Sequence, residues 1–105
     1  MTMRSGNDFP EIPLKTSIEV ARIRKTGQML HDLLSTLKRS VHPGIRTDEL
    51  NEICETNIAE LGLKASLKGY RGFPSALCVS VNNVAAHGVP SSYRLQAGDI
   101  VSVDC

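Results

Sequence analysis

The chain has no tryptophan, and aromatic residues make up only 4% of its 105 positions. A core built around large rings is therefore excluded, and the interior must come from leucine, isoleucine, valine and alanine. A dominant charge sign is missing too. Twelve Lys and Arg face eleven Asp and Glu, for a net charge of +1, which excludes a broad nucleic-acid footprint and a polybasic membrane anchor. Arg22, Arg24, Lys25, Lys38 and Arg39 read as a solvated helix face. There is no Cys-x-x-Cys pair, and the three cysteines, Cys54, Cys78 and Cys105, are odd in number. That argues against a disulfide framework or structural zinc and for reduced thiols in the cytoplasm. Residues 1–15 hold Pro10 and Pro13 but no long apolar run. They are neither a secretory signal nor a membrane span, and residues 1–13 read as a flexible N-terminal extension.

What is present begins at Thr16. Val20, Ile23, Gly27, Leu30, Leu34, Leu37 and Val41 recur at spacings of three and four, which predicts one buried stripe of an α-helix. Thr16 with Glu19 forms a capping-box pattern, and Gly27 on the stripe predicts close approach of another element. His42-Pro43-Gly44 ends the helix. Thr47 is the next N-cap candidate, ahead of Asp48 and Glu49. Leu50, Ile53, Cys54, Ile58 and Leu61 make an apolar face, and Gly62 is a C-terminal stop.

Past Gly62 the texture becomes that of strands. Residues 77–81 read as a strand, Asn82-Asn83 as a turn, 84–87 as a returning strand, Gly98-Asp99 as a turn and 100–104 as a last strand. Two helices followed by an antiparallel sheet place residues 14–105 in the α+β class. Ile100, Val101 and Val103 lie at the end of the chain. An apolar strand in that place suggests a truncated reading frame, a designed fragment or half of a larger fold, and an edge prone to self-association.

Two residues attract attention for chemistry. His87 sits between Ala86 and Gly88, just before Pro90, and is either a structural histidine in tight backbone or an exposed catalytic imidazole. Asp104 is either a turn former or, if buried, a carboxylate that needs a cation. Tyr70, Phe73 and Cys78 by themselves read as core residues.

A wider pattern joins these positions. It runs through Gly69-Tyr70-Arg71-Gly72-Phe73-Pro74, Cys78-Val79-Ser80-Val81-Asn82, His87-Gly88-Val89-Pro90 and Gly98-Asp99-Ile100-Val101-Ser102-Val103-Asp104. In order and spacing it resembles the first half of type I methionine aminopeptidases. The helical stretches Lys15 to Gly27 and Val41 to Leu50 share that texture, so the resemblance covers about residues 14–104. It implies half of a pita-bread fold, as in the creatinase and aminopeptidase families. It also implies metal-dependent removal of the initiator methionine from nascent polypeptide N-termini, with no nucleic-acid or membrane partner. The complete site would hold two divalent ions (Co, Mn, Fe or Zn), which lower the pKa of a shared water and polarise the scissile carbonyl.

By the resemblance, Asp104 matches the first metal-binding aspartate. His87 matches a catalytic histidine that contacts substrate without binding metal. Tyr70, Phe73 and Cys78 match the lining of the methionine pocket, where aromatic and sulfur groups suit a thioether. Asn82 and Val84 match backbone ligands of a monovalent cation. Phe73 stands where tyrosine is common, and Asn83 where glutamate is usual. The family's other metal ligands, an aspartate, a histidine and two glutamates, fall after the position of Asp104. The expectation is an N-terminal fragment that is inactive by itself. The alternative is a non-catalytic pita-bread fragment that acts only by association with a complementing C-terminal half or another partner. A prolidase-like enzyme fits less well, because that group carries a large extra N-terminal domain.

Overall fold

The computed structural model describes residues 10–105. Most of the expected N-terminal extension, residues 1–9, lies outside the described residues; residues 10–16 are exposed and belong to no helix or strand. Helix α1 spans Ser17–Ser40. Its capping box forms as the sequence predicts: the Thr16 N–H donates to Glu19 Oε1 at 3.0 Å, and the Glu19 N–H donates to Thr16 Oγ1 at 3.1 Å. Lys38 and Arg39 in the last turn complement the helix dipole.

The buried stripe of α1 is shorter than the periodicity predicts. Leu33 and Leu37 are buried and Leu30 and Val41 partly so, whereas Val20, Ile23 and Leu34 are exposed. The expectation for Gly27 fails as well, since no atom comes within 4 Å of where its Cβ would stand. The physical reason is length. At 1.5 Å per residue α1 is about 36 Å long and its partner helix about 21 Å, so one end of α1 projects past the layer that could cover it.

Helix α2 spans Thr47–Glu60. Its N-cap is Arg46, not Thr47. Thr47 is the first helical residue, buried, and its hydroxyl is used across the fold: it accepts from the Ser91 N–H at 2.8 Å and donates to the Ser91 carbonyl at 3.1 Å. The Thr47 and Asp48 amides donate to Tyr93 and Ser91 carbonyls, so the free amides of the first turn are met by residues 91–93 rather than by a local cap. Arg46 instead clamps Asp48 with Nε at 2.9 Å and Nη2 at 2.6 Å. Leu50, Cys54 and Ile58 are buried and Ile53 partly so, while Leu61 is exposed. Gly62 stops the helix at φ +68°, with the Leu63 N–H on the Ile58 carbonyl and the Gly62 N–H on the Ala59 carbonyl, a Schellman arrangement.

Strands β1 (Cys78–Val81) and β2 (Val101–Asp104) pair antiparallel, with Cys78 opposite Asp104 and Val81 opposite Val101. Asn51 of α2 steers the chain into β1 by accepting from the Ala76 and Leu77 amides at 3.0 and 3.2 Å. Residues 84–87 do not form the expected returning strand. The Asn82 N–H goes to the Ile100 carbonyl, so β2 pairs along one edge of β1, and the chain after the Asn82-Asn83 turn meets the other edge, where the Val79 and Val81 backbone points. A short polar contact replaces the hairpin: the Val79 N–H donates to the Gly88 carbonyl, and the Gly88 N–H donates to Ser80 Oγ at 3.0 Å. Alternation along the strands turns Val79, Val81, Val101 and Val103 toward the helices and Cys78, Ser80, Ser102 and Asp104 the other way. No helix of the described residues is long and apolar enough to cross a membrane.

Candidate active-site cleft

The outward face of this small sheet is where the sequence-predicted site residues collect. A tight turn over Tyr70–Gly72 carries Arg71 at φ 49°. It folds the Arg71 guanidinium over the Tyr70 ring, 5.3 Å from its centroid, a cation–π distance. Tyr70, Phe73, Cys78 and His87 together line one open cleft of about 570 Å³, with Leu67, Pro74 and Val89. Its walls are mostly apolar. Cys78 forms a buried floor, while the Tyr70 ring stays exposed at the rim. Burial, with Asp104 close by, pushes the Cys78 thiol up, so it remains a neutral, polarisable wall.

His87 stands at the border of this cleft and a second one of about 520 Å³, walled by Thr47, Val79, Asn82, Val84 and Tyr93 among others. Its backbone takes φ +59°, the left-handed region that few side chains adopt. The next residue explains how it is held there. A Cβ on Gly88 would fall 2.0 Å from the Val79 carbonyl oxygen, so the backbone after His87 is pressed directly onto β1. The imidazole is thereby placed by backbone contact rather than by a side-chain partner.

Asp104 does not line the cleft but stands next to it. It is the cross-strand partner of Cys78, which puts the two Cβ atoms roughly 5 Å apart on the same sheet face. Its side chain is exposed, so burial does not oblige it to find a cation. Among the described residues no group of three or more His, Cys, Asp and Glu side chains could hold a metal ion. A dinuclear centre therefore does not fit the donors of this set, which offers one carboxylate.

Asp99, which the sequence marks only as part of a turn, has a larger role in the structure. Its carboxylate accepts from the Gln96 N–H at 2.8 Å, the Asn82 amide at 3.0 Å and the Tyr93 hydroxyl at 2.9 Å. Those donors hold it below the usual carboxylate range. The same Asn82 amide oxygen accepts from the Ile100 N–H at 3.0 Å. Asp99 and Asn82 thus join the entry of β2 to the exit of β1 and fix the ends of the loop that carries His87. No local signal marks this, because the partners lie up to 18 positions apart. Asn82 and Val84 lie on the wall of the second cleft.

This arrangement has known relatives. Residues 21–105 match metallopeptidase family M24, and the chain belongs to that family. It is 50% identical over 94 residues to a methionine aminopeptidase of Clostridium perfringens, covering 90% of this chain and 38% of that one. Methionine aminopeptidase 1 of Bacillus subtilis is 42% identical over 90 residues, covering 86% of this chain and 36% of that one. The crystal structure of methionine aminopeptidase from Rickettsia prowazekii superposes with a TM-score of 0.87 at 31% identity, over 90% of this chain and 38% of that one. The Thermotoga maritima enzyme gives 0.84 at 32% identity, over 89% and 38%. The architecture is thus part of the pita-bread fold, and the chain spans about 38% of the length of these relatives.

Proposed function

We propose that this chain is the N-terminal portion of a methionine aminopeptidase, a metal-dependent hydrolase that removes initiator methionine from nascent polypeptides in the cytoplasm. One observation carries the reading: Tyr70, Phe73, Cys78 and His87 share a single cleft, with Asp104 beside its floor. The cleft would receive the methionine side chain, whose thioether gains from aromatic edges and a sulfur neighbour. His87 at the rim would donate a hydrogen bond to the substrate near the scissile bond and stabilise charge that develops there. Asp104 would be one ligand of a pair of divalent ions (Co, Mn, Fe or Zn). The described residues do not supply the rest of that ligand set, so the chain's own part is the pocket, the imidazole and one carboxylate. Asn82 and Val84 would offer backbone oxygens to a monovalent cation.

The test uses a Met-Ala peptide with added Co²⁺ or Mn²⁺. The chain by itself is expected to show no turnover. Joined to the segment that follows the matched region in the Clostridium perfringens relative, it is expected to cleave, and Asp104→Ala and His87→Ala in that joined protein should abolish or sharply lower kcat. A joined protein that folds but leaves Met-Ala intact refutes the reading. The lack of a metal-holding cluster among the described residues favours a second reading, a non-catalytic fragment that acts through a complementing half. Turnover by the joined protein excludes it.

A further inference from the structure

Cys54 and Cys105 take no part in the cleft. Both are free thiols, 51 positions apart in the chain, and their Sγ atoms lie 3.6 Å from each other. Cys54 is fully buried on the inner face of α2. Cys105 follows β2 on the side of Val101 and Val103, and all three meet the core. It is only partly buried. A narrow cleft of about 130 Å³, walled by Leu30, Leu33, Ile58 and Ala65, ends on Cys105. The third thiol, Cys78, belongs to the opposite face of the sheet, as the partner of Asp104.

We propose that Cys54 and Cys105 form a hydroperoxide-responsive dithiol site, which closes to an intramolecular disulfide tying α2 to β2. An S–S bond is about 2.05 Å long, so the sulfurs must approach by roughly 1.5 Å. Cys105 is only partly buried, which leaves its Sγ room to make that move. In the first step Cys105 Sγ attacks the peroxide: an S–O bond forms, the O–O bond breaks, and the thiol proton leaves with the other oxygen as water. In the second, Cys54 Sγ attacks the sulfenic sulfur: the S–S bond forms, the S–O bond breaks, and hydroxide takes the Cys54 proton as a second water. Two thiols lose two electrons, and one hydrogen peroxide becomes two waters. In a reducing cytosol such a bond is transient, as redox-sensing disulfides are. Because Asp104 adjoins Cys105, the bond also restrains the strand carrying the proposed metal ligand, and that consequence alone rests on the reading above.

The reduced chain is treated with hydrogen peroxide, capped with N-ethylmaleimide and digested without reductant for peptide mass mapping. The expected product joins the Cys54 and Cys105 peptides, is reversed by dithiothreitol, and raises Tm on the order of 10 °C. Cys78→Ser should still form the Cys54–Cys105 link, while Cys105→Ser should form no bond and show no shift. Cys54→Ser should leave a sulfenic acid on Cys105 that dimedone captures. A link from Cys78, links only between separate chains, or oxidation of Cys105 with Cys54 still free would overturn the proposal. The map needs neither metal nor activity, so its failure leaves the proposed function standing, and an inactive joined protein leaves the thiol site standing.

Discussion

Gly88 and Asp99 show how single residues place a catalytic candidate that they do not touch chemically. Gly88 is required by space, since any Cβ there meets the β1 backbone at Val79 and Ser80. Gly88→Ala must push the loop off the strand or strain it, and overpacking of this kind costs about 3 kcal/mol. Urea unfolding should show a loss of that size, and a loss under about 1 kcal/mol would mean that the loop yields freely. Asp99 acts through charge. Its folded pKa is depressed by the Gln96, Asn82 and Tyr93 donors, so its contribution is present above the unfolded pKa and is lost as pH falls through the folded one. The window is acidic, below about pH 4. Melting temperature should fall with pH in that range for the unaltered chain and fall less steeply for Asp99→Asn. Parallel profiles would remove Asp99 from the account.

At the scale of elements, α1 is one helix with two environments. Its capping box and 3.6-residue period run the full length, yet only the end bearing Leu33 and Leu37 meets α2 and the sheet. Two truncations separate these environments. Leu37→Ala opens a hole in a fully buried position and should cost about 3 kcal/mol. Ile23→Ala, at a position 56% exposed, should change stability by no more than about 0.5 kcal/mol. Equal losses in thermal or urea unfolding would show that the whole stripe is buried in solution. The helices, the capping box of α1 and the Gly62 stop were legible because each depends on residues within four positions. The partner of β1 was not legible. Residues 84–87 lie next in the chain but hold one strong β-former, Val84. Past the turn, the backbone of this segment bonds to the other edge of β1 only between Val79 and Gly88, whereas β2 brings alternating valines on its inner face and the Asn82–Ile100 exchange of hydrogen bonds.

Across the whole molecule, apolar surface is unevenly covered. Ile18 and Ile23 on the free half of α1 are exposed, as is Ile100 at 74%. Among the described residues β2 pairs only with β1, and an open strand edge beside apolar side chains templates association. The isolated chain is expected to form concentration-dependent dimers or larger species in sedimentation velocity. Ile100→Lys should shift them toward monomer, and a monomer at every concentration would contradict this.

The sequence by itself determined the class of fold, both helices and the two strands that form, though not their pairing, because propensity, capping and alternation act over a few positions. Only the tertiary structure decided which part of each apolar stripe is buried, that Thr47 bonds Ser91 rather than capping its own helix, and that Asp99 anchors the loop of His87. Those outcomes depend on which distant segments reach the same place first and best satisfy one another's hydrogen bonds. That is a property of the assembled chain and not of any window within it.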